Sequence, residues 1–295
     1  MKKPAPVYSL GFVFHPERDA RYVHFENVSA NPFEPDPNGF PRVNAWWLAE
    51  AALLTYWSPA DAIPLFQAAG FQCQFITAQG TDCYMATHDR FAIVAFRGTQ
   101  PHDWNDVLAD VNIVLVPWKT GLVHLGFRKA FEAIRPQLDP LVAQALPGRT
   151  LWFCGHSLGA ALAALAADHY VDARGVCTLG SPRVGDSTFA RAFDARFGGR
   201  SLRYVNDHDV VTHVPPPLGY AHVDLERFIA PDGAISGGKP AVPHFFAELF
   251  GKPAALGTMI KGQLQDLTQP APKFLLDHMP KAYAIWMWND YDANG

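Results

Sequence analysis

The chain has 295 residues, 49% of them hydrophobic and 18% charged, with a formal net charge of −4. That length and apolar content suffice to bury a large core, and the acidic balance argues against nucleic acid as a partner. No stretch is apolar for long enough to span a bilayer, and residues 1–6 start like a signal peptide without the apolar run behind it; the expectation is a soluble protein, cytoplasmic by default or exported without a recognisable signal peptide.

Residues 1–41 are rich in proline, asparagine and aromatic side chains, with turn signals at Asn31-Pro32, Glu34-Pro35 and Asp36-Pro37-Asn38-Gly39. This predicts an irregular arm laid over one α/β domain spanning 42–295. Residues 43–56 read as a helix with Trp46, Leu48, Ala51, Leu53 and Leu54 crowding one side. Ser58 and Pro59 suit the N-cap and first position of a second helix. Residues 71–77 and 83–87 read as paired strands around a turn at Gln79-Gly80. Residues 91–96 are apolar throughout, as in a strand covered on both faces. Within 101–117, Trp104, Val107, Leu108 and Val111 fall at i, i+3, i+4 and i+7, one face of an amphipathic helix.

Further on, a helix is expected from Phe127 to about Gln137, then a strand at 151–154 and a Leu/Ala helix at 160–167. A strand at 175–179, a helix ending near Phe197 and strands at 201–206 and 221–229 follow. Residues 240–256 suggest a broken helix, and 277–288 a final one. Strands alternating with helices give an α/β class with a mostly parallel sheet. Of the four cysteines, Cys154 and Cys177 lie in apolar strands and read as buried thiols, and Cys73 and Cys83 sit diagonally across their hairpin, which disfavours a disulfide. No cysteine or histidine spacing suggests a zinc site. The sequence carries no signal for its oligomeric state.

The chemistry centres on Gly155-His156-Ser157-Leu158-Gly159, placed between a strand and a helix. This is the context of a G-x-S-x-G nucleophile elbow. A Cβ at either glycine would meet the neighbouring strand or helix, and Ser157 would stand at a helix N-terminus, where unpaired N–H groups favour developing negative charge. A serine hydroxyl is a weak nucleophile, so it needs a base and an acid to orient that base. In chain order these should follow the serine. After the strand 201–206 come Asp207 and Asp209, either of which suits the acid. Among the later histidines, His213 is too close along the chain and His222 falls within a strand, leaving His244 and His278. His278 precedes the last helix, on a loop able to reach the elbow.

Several motifs in order resemble the class 3 lipases. Phe96-Arg97-Gly98-Thr99 is similar to the family's FRGT/S, Val123-His124-Leu125-Gly126-Phe127 to VHxGF, the segment Gly155 to Ala160 to GHSLGG, and Thr178 through Gly185 to TFGxPRVG. The resemblance implies an α/β-hydrolase fold, a central mostly parallel sheet flanked by helices with a lid helix. It also implies a Ser-His-Asp enzyme without cofactor or metal. Its acid-loop pattern fits Asn206, Asp209, Val211, Val214, Pro215 and Pro216 and selects Asp209. Its D-H pattern with a tyrosine five residues on fits Asp277, His278 and Tyr283 and selects His278. It further implies an oxyanion hole from the N–H groups of Leu158 and Thr99, with the Thr99 hydroxyl adding a third donor, and a lid carrying Trp104, Val107, Leu108 and Val111 over 101–117. Three positions depart from the pattern. Ala160 stands for glycine, which a helix's first turn should accept. Thr212 stands for the loop proline, which predicts a looser loop. Val107 stands for the lid tryptophan. The expected activity is hydrolysis of acylglycerols, with lipid or ester substrate met at an oil–water interface. Phospholipase A1 and feruloyl or aryl esterase activities belong to the same family, and a non-catalytic lipid-binding protein would have no use for a complete Ser, Asp and His set.

Overall fold

A computed structural model describes residues 2–4, 22–98, 114–238 and 273–295. The broken helix expected at 240–256 and His244 lie outside the described residues, as do 5–21 of the arm and 99–113.

In chain order the elements are α1 (Arg42–Leu54), α2 (Pro59–Ala68), β1 (Gln72–Ala78), β2 (Thr81–Thr87), β3 (Phe91–Phe96), β4 (Leu115–Pro117), β5 (Leu122–His124), α3 (Leu125–Ala145), β6 (Thr150–His156), α4 (Leu158–His169), β7 (Ala173–Leu179), α5 (Ser187–Phe197), β8 (Ser201–Asn206), β9 (Leu225–Ile229), β10 (Ile235–Gly237), α6 (Lys273–Asp277) and α7 (Pro280–Asn294). Eight strands form one sheet in the order β1-β2-β3-β6-β7-β8-β9-β10. β3, β6, β7, β8 and β9 are parallel, and the antiparallel strands lie at the two edges.

The central strands alternate between two cores, which is why they read as unbroken apolar runs. Ile93, Ala95, Trp152 and Cys154 face α1 and α7. Ala92, Val94, Phe96, Leu151 and Phe153 face α3, α4 and α5. Gln79 and Gly80 both have positive φ, 50° and 79°, the conformation of a tight two-residue hairpin turn. The register sets Cys73 opposite Ala86 and Cys83 opposite Ile76, and all four cysteines are free.

Four sequence expectations change. Helix α1 is not one-sided: every residue from Val43 to Leu54 is buried, because the sheet, α7 and arm residues enclose it. Helix α3 runs past Gln137 to Ala145 despite Pro136 and Pro140. Its buried seam, Phe127, Phe131, Ile134, Leu138, Val142 and Ala145, continues unbroken, while both prolines are exposed, so the backbone bonds they forfeit face water. The strand expected at 221–229 begins only at Leu225, after Asp224 adopts a φ of 76°. The single final helix is split in two, since Pro280 pushes Met279 to an extended ψ of 131° and leaves His278 at the break. In addition, 115–117, at the end of the stretch read as a lid, is a strand paired with β5.

The described part of the arm packs into the core. Phe33 stacks on Phe91 with ring centroids 4.2 Å apart, and the Trp47 indole donates to the Asn31 carbonyl at 2.8 Å. Its polar anchor is Glu50 of α1, whose carboxylate is wholly buried. It accepts from the Tyr22 hydroxyl at 2.7 Å and the Trp46 indole at 3.1 Å, and His24 Nδ1 lies 2.9 Å away. Burial alone would raise the pKa of this carboxyl, but His24, Lys3 and Tyr22 outweigh it and hold it below the usual value. A depressed carboxyl pKa stabilises the fold above the unfolded-state pKa, and that contribution is lost as pH falls through the folded-state one. Urea unfolding at pH 7 is therefore expected to find Glu50→Gln about 3 kcal/mol less stable than the parent. The gap should narrow below about pH 4; an equal gap at both pH values would mean that the ionised form is not what the site prefers.

Candidate active site

The elbow is built by sterics. Ser157 sits between β6 and α4 with φ 60° and ψ −129°, a conformation that costs a non-glycine residue energy and is held here by its surroundings. Its N–H donates to the Leu179 carbonyl at 3.0 Å, which ties the turn to β7. A Cβ on Gly155 would stand 2.2 Å from the Gly159 carbonyl oxygen, and one on Gly159 2.2 Å from that of Phe96. Both glycines of the motif are thus required by close backbone approach. The following residue, Leu158, is the first of α4, so its N–H belongs to the helix's unpaired leading group. Ala160 is fully buried in the same helix, which accommodates the methyl as expected.

Asp209 and His278 are 69 residues apart in sequence and meet with both side chains fully buried. His278 Nδ1 lies 2.7 Å from Asp209 Oδ1 and 2.8 Å from Oδ2. A carboxylate only accepts, so Nδ1 carries the proton and the lone pair of the neutral ring is on Nε2. Asp209 is itself held: Oδ1 accepts from the Val211 N–H at 2.9 Å and Oδ2 from the Tyr283 hydroxyl at 2.5 Å. Tyr283 in turn accepts from the Asn206 N–H at 3.0 Å. Gly180, with φ 56°, forms the floor beneath the pair, since a Cβ there would lie 2.5 Å from Asp209 Oδ2 and 2.9 Å from His278 Nδ1.

The alternative acid, Asp207, points elsewhere. Its carboxylate is bonded to the Lys273 ammonium and lies 2.8 Å from His208 Nδ1. Lys273 also reaches Asp277 at 2.8 Å, and Asn206 Nδ2 donates to the Asp277 carbonyl at 2.9 Å. This cluster fastens the segment before His278 to the loop that carries Asp209. Asp207, His208 and Asp277 have metal-ligand spacing, but the Lys273 ammonium already supplies the positive charge between the two carboxylates. Burial works against that ammonium, yet the two acids raise its pKa on balance.

The acid loop is tighter than its sequence predicts. Thr212, in the place of the loop proline, donates through Oγ1 to the Asp209 carbonyl at 2.8 Å. Arg183 caps the loop from outside, donating to the carbonyls of His213 at 2.5 Å and Pro215 at 2.6 Å. Burial and the neighbouring Arg203 lower the Arg183 pKa to about 10.

Gly98 packs directly on the elbow: a Cβ there would meet the Tyr56 hydroxyl at 2.1 Å, the His156 carbonyl at 2.6 Å and Ser157 Cβ at 3.1 Å. The chain leading to Thr99 therefore touches Ser157. Thr99 itself, like the lid residues Trp104, Val107, Leu108 and Val111, lies outside the described residues. Tyr56 and the ring of His156 also border the site, and the motif reading gave neither a role. Only the position of His156 beside the serine hinted at one.

A mostly parallel sheet flanked by helices, with an elbow serine at a strand–helix turn, is the α/β-hydrolase architecture. Residues 93–219 match the family described as Lipase (class 3). It is 34% identical over 173 residues to the secreted mono- and diacylglycerol lipase A of Penicillium cyclopium, covering 52% of this chain and 53% of that protein. It is 33% identical over 172 residues to phospholipase A1-II 4 of Oryza sativa subsp. japonica, covering 46% and 43%. The structure of lipase II from Rhizopus niveus superposes with a TM-score of 0.54 at 26% identity, over 63% of this chain and 77% of that one. The chain spans about half the length of the curated relatives it matches. The family match contains Ser157 and Asp209 but stops before His278, so the place of His278 rests on its geometry.

Proposed function

We propose that this chain is a serine carboxylic-ester hydrolase, a triacylglycerol lipase, built as one hydrolase domain over 42–295 with 1–41 laid against it. The observation that carries the reading is the buried Asp209–His278 pair seated on Gly180, the residue after β7, the same strand whose Leu179 carbonyl holds the Ser157 N–H.

In this reading the Ser157 hydroxyl oxygen attacks the ester carbonyl carbon while His278 Nε2 takes its proton. Asp209 keeps the ring in the Nδ1–H tautomer and stabilises the imidazolium that forms. The N–H groups of Leu158 and Thr99, with the Thr99 hydroxyl, receive the negative charge on the former carbonyl oxygen, each donor worth roughly 3 kcal/mol of barrier. Collapse of this intermediate breaks the ester C–O bond, and the alcohol leaves with the proton from His278. Water then attacks the acyl-serine by the same steps in reverse roles, releasing the carboxylic acid. Neither cofactor nor metal enters these steps.

The substrate class follows from the lid. Trp104, Val107, Leu108 and Val111 give 101–113 one apolar face directly after Thr99. Such a face hides on the protein in water and lies against lipid at an interface, where opening is easier. Among the described residues no helix is long and apolar enough to cross a membrane. The test compares emulsified triolein with a soluble short p-nitrophenyl ester. Trp104→Ser and Leu108→Ser are expected to lower triolein hydrolysis about tenfold while sparing the soluble ester. Equal loss on both substrates, or on neither, removes the lid role. The rice relative named as a phospholipase A1 makes phosphatidylcholine the third substrate to assay, and faster release of fatty acid from it than from triolein would shift the assignment to phospholipase.

A further inference from the structure

His156, the residue before the elbow serine, has no part in the steps above, yet it is completely buried against them. Its Nε2 lies 2.6 Å from the backbone carbonyl oxygen of His278. Its Nδ1 lies 2.7 Å from the Tyr56 hydroxyl. A carbonyl oxygen only accepts, so Nε2 carries the proton and donates. A neutral ring has one such proton, so Nδ1 is the acceptor and Tyr56 is the donor. Protonating the ring would put two donors face to face at Nδ1 and the phenol. Burial, and then the nearby His278, push the His156 pKa well below its usual value, so the ring stays neutral. Burial likewise raises the Tyr56 pKa and keeps its hydroxyl a donor.

The two histidine rings also pack on each other, with centroids 4.4 Å apart at 40°. The Tyr56 hydroxyl occupies the space beside Gly98, the residue that leads to Thr99. One buried chain of hydrogen bonds therefore runs from the oxyanion side of the site, through Tyr56 and His156, to the main chain of His278.

We propose that His156 is a positioning residue for His278: its Nε2–H, oriented by Tyr56, fixes the peptide that carries the general base and sets the distance from that base to Ser157. The inference rests on the hydrolase reading above. His278 occupies the break between α6 and α7, and its carbonyl oxygen lies 2.6 Å from His156 Nε2. The His156 donor ties that break to the elbow. Because His156 does not accept a proton itself, it can stand beside His278 without competing for the proton taken from Ser157.

The test uses the full chain and a soluble short ester. His156→Phe keeps an aromatic ring but removes the donor, and His156→Gln keeps an N–H close to the Nε2 position. His156→Phe is expected to lower kcat about tenfold to a hundredfold with KM within about twofold, the pattern of a misplaced base. His156→Gln should recover most of that loss although it restores none of the ring packing. Equal loss in the Phe and Gln variants, or a His156→Phe kcat within twofold of the parent, overturns the proposal. If His156→Phe does not fold, Tyr56→Phe, which removes one hydroxyl, carries the test: kcat should fall several-fold with the melting temperature moving less than in Glu50→Gln, and an unchanged kcat overturns the proposal. The parent protein in the same assay separates the two readings, since an active parent with indifferent His156 variants overturns the positioning role alone, and an inactive parent overturns both.

Discussion

Ser157→Ala is expected to reduce ester hydrolysis by about 10⁵-fold, with KM for whatever activity remains little changed. The change removes one oxygen from a residue that is 5% exposed and leaves the elbow's backbone bond to Leu179 intact. Alanine carries the same Cβ as serine, so the positive φ at this position is no harder to hold. Stability should therefore stay within about 1 kcal/mol of the parent, as for a substitution that opens no cavity and orphans no buried partner. His278→Ala added to Ser157→Ala should cost nothing further, because a base without its nucleophile has no proton to take. A single variant retaining a few per cent of parental kcat would place the nucleophile elsewhere.

Asp209→Asn is the second large effect, about 10⁴-fold in kcat. The asparagine side chain can present an N–H toward His278 Nδ1. The ring would then move its proton to Nε2, leaving no lone pair there to accept from Ser157. The Val211 N–H and the Tyr283 hydroxyl now bond the two oxygens of Asp209, and one of these donors would face the new amide. Asp207→Asn is the matched control. It sits two residues away, but its partners are Lys273 and His208, so kcat should fall by less than about tenfold and the main effect should be on stability. Inactivation by Asp207→Asn with an active Asp209→Asn would reverse the assignment of the acid.

The central strands and the elbow were legible because their constraints are local. Residues 91–96 are apolar throughout since both sheet faces are covered, and Gly155 and Gly159 recur since a Cβ at either strikes backbone. Asp209 and His278 were legible only through motif spacing, because nothing local in 201–209 or 277–283 states that they meet. Tyr56 gave no signal: it reaches His156 across 100 residues, and its phenol looks like any helix-end aromatic in the sequence. Nothing in the sequence of 43–56 singles out Glu50; the arm folding back with Tyr22 and His24 encloses its carboxylate. Helix α3 outruns its expected end near Gln137 because a continuous buried seam carries it past Pro136 and Pro140.

The central claim is that Ser157 is the nucleophile of an ester hydrolase. Its most direct test is stoichiometric labelling with a fluorophosphonate, followed by peptide mass spectrometry and by hydrolysis assays at graded extents of labelling. The account predicts one label per chain, on the peptide containing Ser157, activity falling in proportion to label, and no label in Ser157→Ala. A label on another residue, or full hydrolysis by fully labelled protein, would contradict it.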